Sequence, residues 1–199
     1  METQREITVK LKWSLDEAKL YFVNKGITLV ESFILKDIYL AKEDLDLKKL
    51  NNLDILSSCI ILREVYENDK AIDRKIMYKD KKYNEVGDII SEVKYSCEVG
   101  NVEKMQSILD KIGYKELFRY DQECLGYEID DKKILLQYIP DLGLFAELED
   151  NNKSKEQLIN DLNELNIPYY GNDYFVKKAS LMIDKIKKQR RWNNGRKEK

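Results

Sequence analysis

The stretch Arg5-Glu6-Ile7-Thr8-Val9-Lys10-Leu11-Lys12 alternates strictly between polar and apolar side chains. A period of two predicts a β-strand, with three aliphatic residues on one face and an acid, a hydroxyl and two amines on the other. Two interpretations are open at this point. Either the polar face of an edge strand lies in water, or it lines a hydrated interior and binds a charged ligand. The remainder of the chain bears on this choice.

The composition excludes several classes of function. The 199 residues include 43% hydrophobic and 36% charged side chains, which fits one folded domain with a highly charged surface. Because 35 basic residues are balanced by 37 acidic ones, no net field would attract nucleic acid or a membrane. The chain has no histidine, so chemistry must use carboxylates, amines, guanidinium, tyrosine or a hard cation.

The three cysteines, Cys59, Cys97 and Cys124, are too widely spaced for a zinc knuckle or a paired disulfide framework. No signal peptide and no apolar run of membrane length is evident, so we expect a cytoplasmic protein. The expected partner is a small molecule rather than nucleic acid or a membrane, and homodimer formation is left open.

Two segments of the chain repeat the same pattern. Ser14 and Asn101 each cap a helix that follows a strand, and the two helices end at Gly26 and Gly113 after the same number of residues. This pattern indicates an internal duplication with pseudo-two-fold symmetry. Further strands are predicted at Ile27–Ala41, Cys59–Tyr66, Arg74–Lys82, Ile89–Val99, Tyr114–Tyr127, Lys133–Ile139 and Leu144–Glu149. Eight antiparallel strands are enough to close a barrel that holds a ligand.

The C-terminal part of the chain is predicted to be helical. A capping box at Ser154 starts one helix, and a second helix is predicted from Asn172. We expect residues 1–185 to form a single domain, with the helices of residues 154–188 packed on the sheet. Residues 189–199 are predicted to be a basic polar tail.

Charged residues within strands suggest a ligand. Glu147 and Glu149 are two residues apart and share one face of a predicted strand, whereas Arg63 and Lys79 are cations among apolar neighbours. Carboxylates in one region and cations in another suit a complex of a divalent metal with a polyphosphate, because acids hold Mg²⁺ or Mn²⁺ and bases hold phosphates.

These motifs resemble the CYTH superfamily, the triphosphate tunnel metalloenzymes that include class IV adenylyl cyclases and thiamine triphosphatases. Glu6-Ile7-Thr8-Val9-Lys10 stands where the family opens with Glu-x-Glu-x-Lys, and Lys12 matches a second lysine common there. Leu142-Gly143-Leu144-Phe145-Ala146-Glu147-Leu148-Glu149 matches the closing Gly-x-Phe-x-Glu-x-Glu, with its preceding Leu.

Three shorter motifs extend the resemblance over about residues 5–185. Leu62-Arg63-Glu64-Val65 is similar to the family's Leu-Arg-x-Arg strand, and Tyr78-Lys79 to its Tyr-Lys strand end. Asp37-Ile38-Tyr39 resembles an Asp-x-Tyr that follows the first helix, and Asp173-Tyr174 falls in a familiar C-terminal position. The order and spacing of the motifs, more than any one of them, carry the resemblance.

The resemblance implies a specific fold and site. The fold would be α+β, an eight-stranded antiparallel closed β-barrel (a triphosphate tunnel) with outer helices and an internal duplication. Mg²⁺ or Mn²⁺ would be held by Glu6, Glu147 and Glu149. Phosphates would be held by Lys10, Lys12, Arg63 and Lys79. The ligand would be a small-molecule polyphosphate or nucleotide; the resemblance assigns no catalytic residue.

The chain also departs from the family's pattern. Thr8 replaces the second glutamate, Val65 replaces the second arginine, and Gln137 replaces the aspartate expected in the penultimate strand. Glu92-x-Lys94 reverses an Arg-x-Glu pair, and a basic strand has become Asp121-Gln122-Glu123-Cys124. Lys75 and Lys94 are predicted to be solvated surface residues. Each missing charge-assisted contact lowers ligand binding by about 1.5–3 kcal/mol.

We therefore expect a divergent tunnel protein that binds an organic triphosphate or another polyphosphate with weak or no turnover. The alternative is an active metal-dependent triphosphatase or, as second choice, a class IV adenylyl cyclase that produces cyclic AMP. A purely structural role is a third hypothesis. The orientation of Thr8, Gln122 and Gln137, towards the tunnel or towards solvent, distinguishes among them.

Overall fold

The computed structural model describes residues 6–83, 89–129, 132–150, 152–171, 173–174 and 176–195; the side chains of residues 81–83, 89–92 and 190–195 are not described. The described residues form eight strands and five helices. In chain order these are β1 (Glu6–Lys10), α1 (Leu15–Asn24), β2 (Thr28–Lys42), α2 (Asn52–Ser57), β3 (Ile60–Glu67), β4 (Lys70–Tyr83), β5 (Ile89–Glu98), α3 (Val102–Lys111), β6 (Tyr114–Ile129), β7 (Lys132–Ile139), β8 (Gly143–Glu149), α4 (Lys155–Glu164) and α5 (Lys178–Gly195).

The predicted helix caps form as expected. The Ser14 hydroxyl accepts a hydrogen bond from the Glu17 backbone nitrogen at 3.3 Å, and the Glu17 carboxylate accepts one from the Ser14 nitrogen at 2.7 Å. Asn101 accepts from the Lys104 nitrogen at 2.7 Å. Helices α1 and α3 are both ten residues long, as the duplication predicts. The superposition of the two halves stays a prediction.

The eight strands form one sheet in the order β1-β8-β7-β6-β2-β3-β4-β5. The registers of β1 with β8, β7 with β8, β6 with β7, and β4 with β5 are all antiparallel. At the β3–β4 turn, Asn68 and Asp69 have positive φ values of 48° and 63°, which suit a tight hairpin. The α+β class and the eight-stranded antiparallel sheet are therefore confirmed.

The chain divides into two compact units. The first contains Met1–Leu35, Val65–Lys70 and Asp121–Val176, and the second contains Lys36–Glu64, Ala71–Tyr120 and Lys177–Lys199. The prediction of a single domain over residues 1–185 stays a prediction.

The core of the first unit lies between the sheet and helices α1 and α4. Ile7 and Val9 of β1 and the following Leu11 face it, together with Phe22 of α1 and Leu162 of α4. Phe22 stacks on Tyr127 of β6, with ring centroids 4.2 Å apart. The aliphatic side of the first strand is thus its core side, as the alternation predicts.

The core of the second unit lies under helix α3. Val102 and Leu109 of α3 pack with Ile38 and Leu40 of β2 and Leu62 of β3. Within the same unit, α2 packs against α5. The even-numbered residues of this part of β2 therefore face the helix, and its odd-numbered residues face the other way.

The segment after α4 pairs with the free edge of β1. The Lys12 nitrogen donates to the Pro168 carbonyl, and the Tyr170 nitrogen donates to the Lys10 carbonyl, both at 2.9 Å. Thr8 exchanges backbone hydrogen bonds with Tyr174 and Val176. The last helix begins after these bonds, at Lys178. Its predicted first residue, Asn172, lies outside the described residues. No helix among the described residues is both long and apolar enough to span a bilayer.

Candidate functional site

Three carboxylates meet on the polar side of β1 and β8. Glu6 lies opposite Glu149, and Thr8 lies opposite Glu147, so all four residues share one face of the sheet. One oxygen from each of Glu6, Glu147 and Glu149 lies within 4.8 Å of the others. The structure thus brings together the three residues that the sequence predicted as metal ligands.

The donor set of this cluster suits a hard divalent cation. Carboxylate oxygens are the ligands that Mg²⁺ and Ca²⁺ prefer in proteins. Ligand distances of about 2.1 Å hold two oxygens at most about 4.2 Å apart around Mg²⁺, so oxygens within 4.8 Å need only small rotations to reach one ion. Glu6, Glu147 and Glu149 therefore fit a magnesium or manganese ion.

Lys10 lies on the same face as the three acids. It faces Phe145 of β8 across the β1–β8 pair, and its ammonium nitrogen lies 6.0 Å from the centroid of the Phe145 ring. Lys10 is half-buried and Lys12 is exposed. Among the described residues, neither lysine forms an ion pair with a carboxylate. Lys10 thus shares a face with the three acids without being neutralised by a described acid, and its Cε lies beside Gly143, at the opposite end of β8 from Glu147 and Glu149.

We call this surface the acid face. It is the side of β1, β8, β7 and β6 that points away from the core of the first unit. The register across these strands places the following residues on it: Glu6, Thr8, Lys10, Gln122, Cys124, Gly126, Gln137, Phe145, Glu147 and Glu149.

The three polar replacements all lie on the acid face, and all three are buried. The exposed fractions are 5% for Thr8, 2% for Gln122 and 4% for Gln137. The side-chain oxygen of Gln122 is buried and has no hydrogen-bond partner among the residues that the structure describes. Because Thr8 is buried, the interpretation of β1 as an edge strand with its polar side in water fails at this residue. The replacements are interior features, not surface ones.

The acids of the predicted acidic strand do not reach this face. Glu123 alternates with Gln122, and its carboxylate accepts a hydrogen bond from the Lys19 ammonium of α1 at 2.9 Å. Asp121 is exposed and, being two residues before Glu123, lies on the same face of the strand as Glu123. Asp121 and Glu123 therefore lie off the acid face, where the neutral residues Gln122 and Cys124 stand.

A further carboxylate lies over the acid face and was missed by the sequence reasoning. A Cβ built at Gly126 would lie 2.3 Å from Glu31 Cγ and 2.5 Å from Glu31 Oε1. Only glycine leaves room for this side-chain position, because no real Cβ approaches so closely. A glycine inside a strand, which often marks the close approach of another group, was the available signal.

In the second unit, Arg63 is held by a buried acid. Its Nε and Nη2 donate to the two carboxylate oxygens of Asp37 at 2.7 and 2.6 Å, and the Asp37 side chain is fully buried. Burial alone lowers the pKa of the Arg63 guanidinium, but the hydrogen bonds and charge of Asp37 outweigh it and raise that pKa above its ordinary value. The mid-strand cation is thus paired within the protein.

Aromatic rings surround this ion pair. Tyr39 stacks on Phe118 at 4.5 Å between centroids, and its hydroxyl lies 3.5 Å from that of Tyr120. Burial is the main cause that raises the pKa of both phenols above the ordinary value. We call Asp37, Tyr39, Arg63, Phe118 and Tyr120 the Arg63 cluster.

Strands β4 and β5 carry the remaining predicted cations. Lys79 lies directly opposite Lys94 in the register, so these two lysines share one face. Lys75 lies four residues before Lys79, on the same face of β4, and forms an ion pair with Asp73 at 2.6 Å. Lys94 is exposed, as the sequence predicts for a solvated residue, whereas Lys75 is half-buried. Glu92 lies opposite Lys81 along the backbone, but its side chain lies outside the described residues.

The predicted site residues therefore fall into two groups. Glu6, Lys10, Lys12, Glu147 and Glu149 belong to the first unit, where the acids and Lys10 share one face. Arg63 and Lys79 belong to the second unit, where Arg63 is paired with Asp37. The assignment of Lys10, Lys12, Arg63 and Lys79 to phosphate binding stays a prediction.

No protein family profile and no curated protein sequence matches the chain. Solved structures do match. The PH1819 protein from Pyrococcus horikoshii OT3 is 21% identical, with a TM-score of 0.66, and the match covers 92% of this chain and 99% of that protein. HpAC1 from Hippeastrum is named as an adenylyl cyclase and described as having a dominant triphosphatase activity. It is 15% identical with a TM-score of 0.57, over 88% of this chain and 93% of that protein.

A chain of the Schizosaccharomyces pombe Mediator head module also matches, at 9% identity and a TM-score of 0.51, over 82% of this chain and 91% of that one. The chain has a CYTH-like fold, and the resemblance seen in the sequence is confirmed at that level. Because a fold supports several functions, the function must be argued from the site.

Proposed function

We propose that this protein binds an organic triphosphate or another polyphosphate together with Mg²⁺ or Mn²⁺, and that it turns the ligand over slowly or not at all. Glu6, Glu147 and Glu149 hold the metal ion in this proposal. Lys10, Lys12 and Lys79 hold phosphates, whereas Arg63, although predicted for the same role, is neutralised by Asp37. The strands close into the tunnel that the family resemblance implies. We also propose a cytoplasmic location.

The observation that carries the proposal is the juxtaposition on β1 and β8. Glu6 and Lys10 project from the same side of β1, and Glu147 and Glu149 lie across from this side on β8. A metal–polyphosphate complex needs both kinds of group close together, because its cation binds acids and its phosphates bind amines. HpAC1, a neighbour in fold, is described as a triphosphatase, which supports the same ligand class.

Weak turnover is supported by the neutral side chains of the acid face. Thr8, Gln122 and Gln137 are buried where charged residues would otherwise contact a ligand. Phosphoryl transfer relies on positioning and on neutralising the charge of the phosphates, so absent charges raise the barrier directly. A rise of about 3–4 kcal/mol lowers the rate several-hundredfold.

Efficient metal-dependent triphosphate hydrolysis is the alternative function, and the intact cluster of Glu6, Glu147 and Glu149 favours it. Cyclisation to cyclic AMP would further require a pocket for adenine. A structural role finds a parallel in the fold neighbour from the Mediator head module.

Calorimetric titration tests ligand binding. We expect weak binding of Mg²⁺ or Mn²⁺ alone, because Thr8 supplies no carboxylate, and stronger binding when tripolyphosphate is present. Glu147→Gln should abolish the metal-dependent part. Asp121→Asn removes an exposed acid from the opposite side of the sheet and should change nothing. Micromolar metal binding without polyphosphate, or equal losses in the two variants, would contradict the proposal.

Phosphate release from ATP, thiamine triphosphate and tripolyphosphate tests turnover. We expect slow or no release with either metal ion. Thr8→Glu combined with Gln122→Arg should raise any residual rate, because both side chains lie on the acid face. Turnover of several per second by the wild-type protein would establish the alternative, an efficient triphosphatase.

A further inference from the structure

Tyr170 occupies a specific place beside β1. The bridge between Leu11 and Tyr169, with the bonds from the Lys12 nitrogen to Pro168 and from the Tyr170 nitrogen to Lys10, places Tyr170 directly opposite Lys10. Residues directly opposite each other in an antiparallel pair lie on the same face. Tyr170 therefore extends the acid face by one position beyond β1.

The Tyr170 ring contacts both lysines of the predicted anion site. Its centroid lies 6.0 Å from the Lys10 nitrogen and 5.9 Å from the Lys12 nitrogen. These distances are within the range of cation–π attraction. Lys10 lies at the same distance, 6.0 Å, from the Phe145 ring, so its ammonium is placed by two aromatic side chains.

A neutral ring places a cation without cancelling its charge. A carboxylate in the same position would form an ion pair with the ammonium and compete with an incoming phosphate. Within the described parts of the chain, Lys10 and Lys12 have no carboxylate ion-pair partner, and both contact Tyr170. Two like charges held near one ring favour binding of an anion between them.

We propose that Tyr170 is a positioning residue for the anion site, which it builds by holding the ammonium groups of Lys10 and Lys12 towards the phosphate chain of a polyphosphate. This inference rests on the proposed polyphosphate function. It further assigns the segment that follows α4 to the site, and it specifies that Tyr170 acts on the phosphate end of the ligand and not on an organic head group.

A first experiment needs no ligand. The side-chain ε-methylene signals of Lys10 and Lys12 are assigned by NMR with the Lys10→Arg and Lys12→Arg variants. In the wild type, the Tyr170 ring should shift both signals. Both shifts should remain in Tyr170→Phe. In Tyr170→Leu the shift of Lys12 should disappear, and that of Lys10 should fall to the part caused by the Phe145 ring. Unchanged shifts in Tyr170→Leu would overturn the inference, whatever the protein binds.

The second experiment measures binding of tripolyphosphate and of ATP, each with Mg²⁺. Two cation–π contacts of about 0.5–1 kcal/mol each predict that Tyr170→Leu weakens both ligands about 5- to 30-fold. Tyr170→Phe should stay within about twofold, because the ring is retained. Tyr95→Leu is the control, since Tyr95 is exposed to a similar degree, 58% against 53% for Tyr170.

Each other outcome has a defined meaning. A loss for ATP alone would show that Tyr170 contacts the base, which overturns the inference. An equal loss of affinity in Tyr170→Phe would assign the effect to the hydroxyl group. Unchanged affinity in Tyr170→Leu would show that the ring takes no part in the site. Either outcome overturns the inference. If the wild type binds neither ligand, the proposed function fails, and the NMR comparison alone decides whether Tyr170 positions the lysines.

Discussion

Lys10 in the first unit and Arg63 in the second are both cations on alternating strands, yet their surroundings differ. Lys10 lies near two aromatic rings. Arg63 donates two hydrogen bonds to the buried carboxylate of Asp37, and stacked aromatic side chains lie around this pair. One cation keeps its charge available, whereas the other is neutralised within the fold.

This contrast teaches that a charged residue within a strand has two uses. A cation paired with a buried acid contributes to the structure, and removing either partner leaves an uncompensated charge. A cation held by neutral rings costs little to remove but can bind an anion. Substitutions at the Asp37–Arg63 pair should therefore mainly change stability, whereas substitutions of Lys10 should mainly change ligand binding.

The largest expected effect is that of Asp37→Ala. It leaves the largely buried Arg63 guanidinium without its partner and should lower the free energy of unfolding by about 3–5 kcal/mol. Glu64→Ala is the matched control, because Glu64 pairs with the more exposed Arg74 at 3.0 Å and should cost less than about 1 kcal/mol. Urea unfolding measures both variants. Similar losses would remove the distinction between a buried and an exposed pair.

Alkaline pH should also destabilise the Arg63 cluster. The folded state raises the pKa of Tyr39 and Tyr120, so it holds their protons more tightly than the unfolded chain does. Stability is then full below the unfolded value of about 10 and falls as pH rises towards the folded pKa, by about 1.4 kcal/mol per tyrosine at pH 11. Unfolding at pH 9 to 11 should show a shallower slope in Tyr39→Phe combined with Tyr120→Phe. The inference fails if the slopes coincide.

On the acid face, space is kept for a carboxylate. Gly126→Ala should cost no more than about 1.5 kcal/mol, because the new methyl group displaces the Glu31 side chain, which is exposed and can take another rotamer. In a Glu31→Ala background this cost should vanish. Gly126→Ala could then raise the free energy of unfolding by about 0.4–1 kcal/mol, because alanine lowers the conformational entropy of the unfolded chain. A double-mutant cycle measures this coupling. Equal costs in both backgrounds would show that another group fills the space above Gly126.

The smallest effect on stability is expected for Lys10→Met. The change removes two cation–π contacts of about 0.5–1 kcal/mol each. Because the retained apolar stem offsets part of this loss, the free energy of unfolding should fall by no more than about 1 kcal/mol. Arg63→Met should cost several times more, since it leaves Asp37 buried and unpaired. The order should be reversed for ligand binding. Calorimetry with magnesium tripolyphosphate should show a large loss of affinity in Lys10→Met and a smaller one in Arg63→Met. A destabilisation equal to that of Arg63→Met would end the comparison.

Local patterns were sufficient to predict most of the secondary structure. The alternation of β1, the capping box at Ser14, the Asn101 cap and the turn at Asn68 and Asp69 all depend on residues close together in the sequence. The acid cluster was predictable too, because Glu147 and Glu149 have a fixed spacing of two on one strand and the motif resemblance supplied Glu6.

Other features depend on which strands become neighbours, and local patterns carry no information about that. The Asp37–Arg63 pair, the position of Glu31 over Gly126, and Tyr170 beside Lys10 each join distant parts of the chain. The outward orientation of Glu123 follows from the register of β6 and from its contact with Lys19. The composition of that strand does not show on which side of the sheet its acids lie.

The pairing of β1 with segments far along the chain determines when the site can form. Glu6 and Lys10 are synthesised well before Glu149 and Tyr170, which lie on either side of β1. Contacts so far apart in sequence close slowly, and until then β1 is an unpaired strand open to incorrect pairing. A cation bound by Glu6, Glu147 and Glu149 would therefore stabilise the joining of two distant segments of the chain, and not merely the shape of one surface.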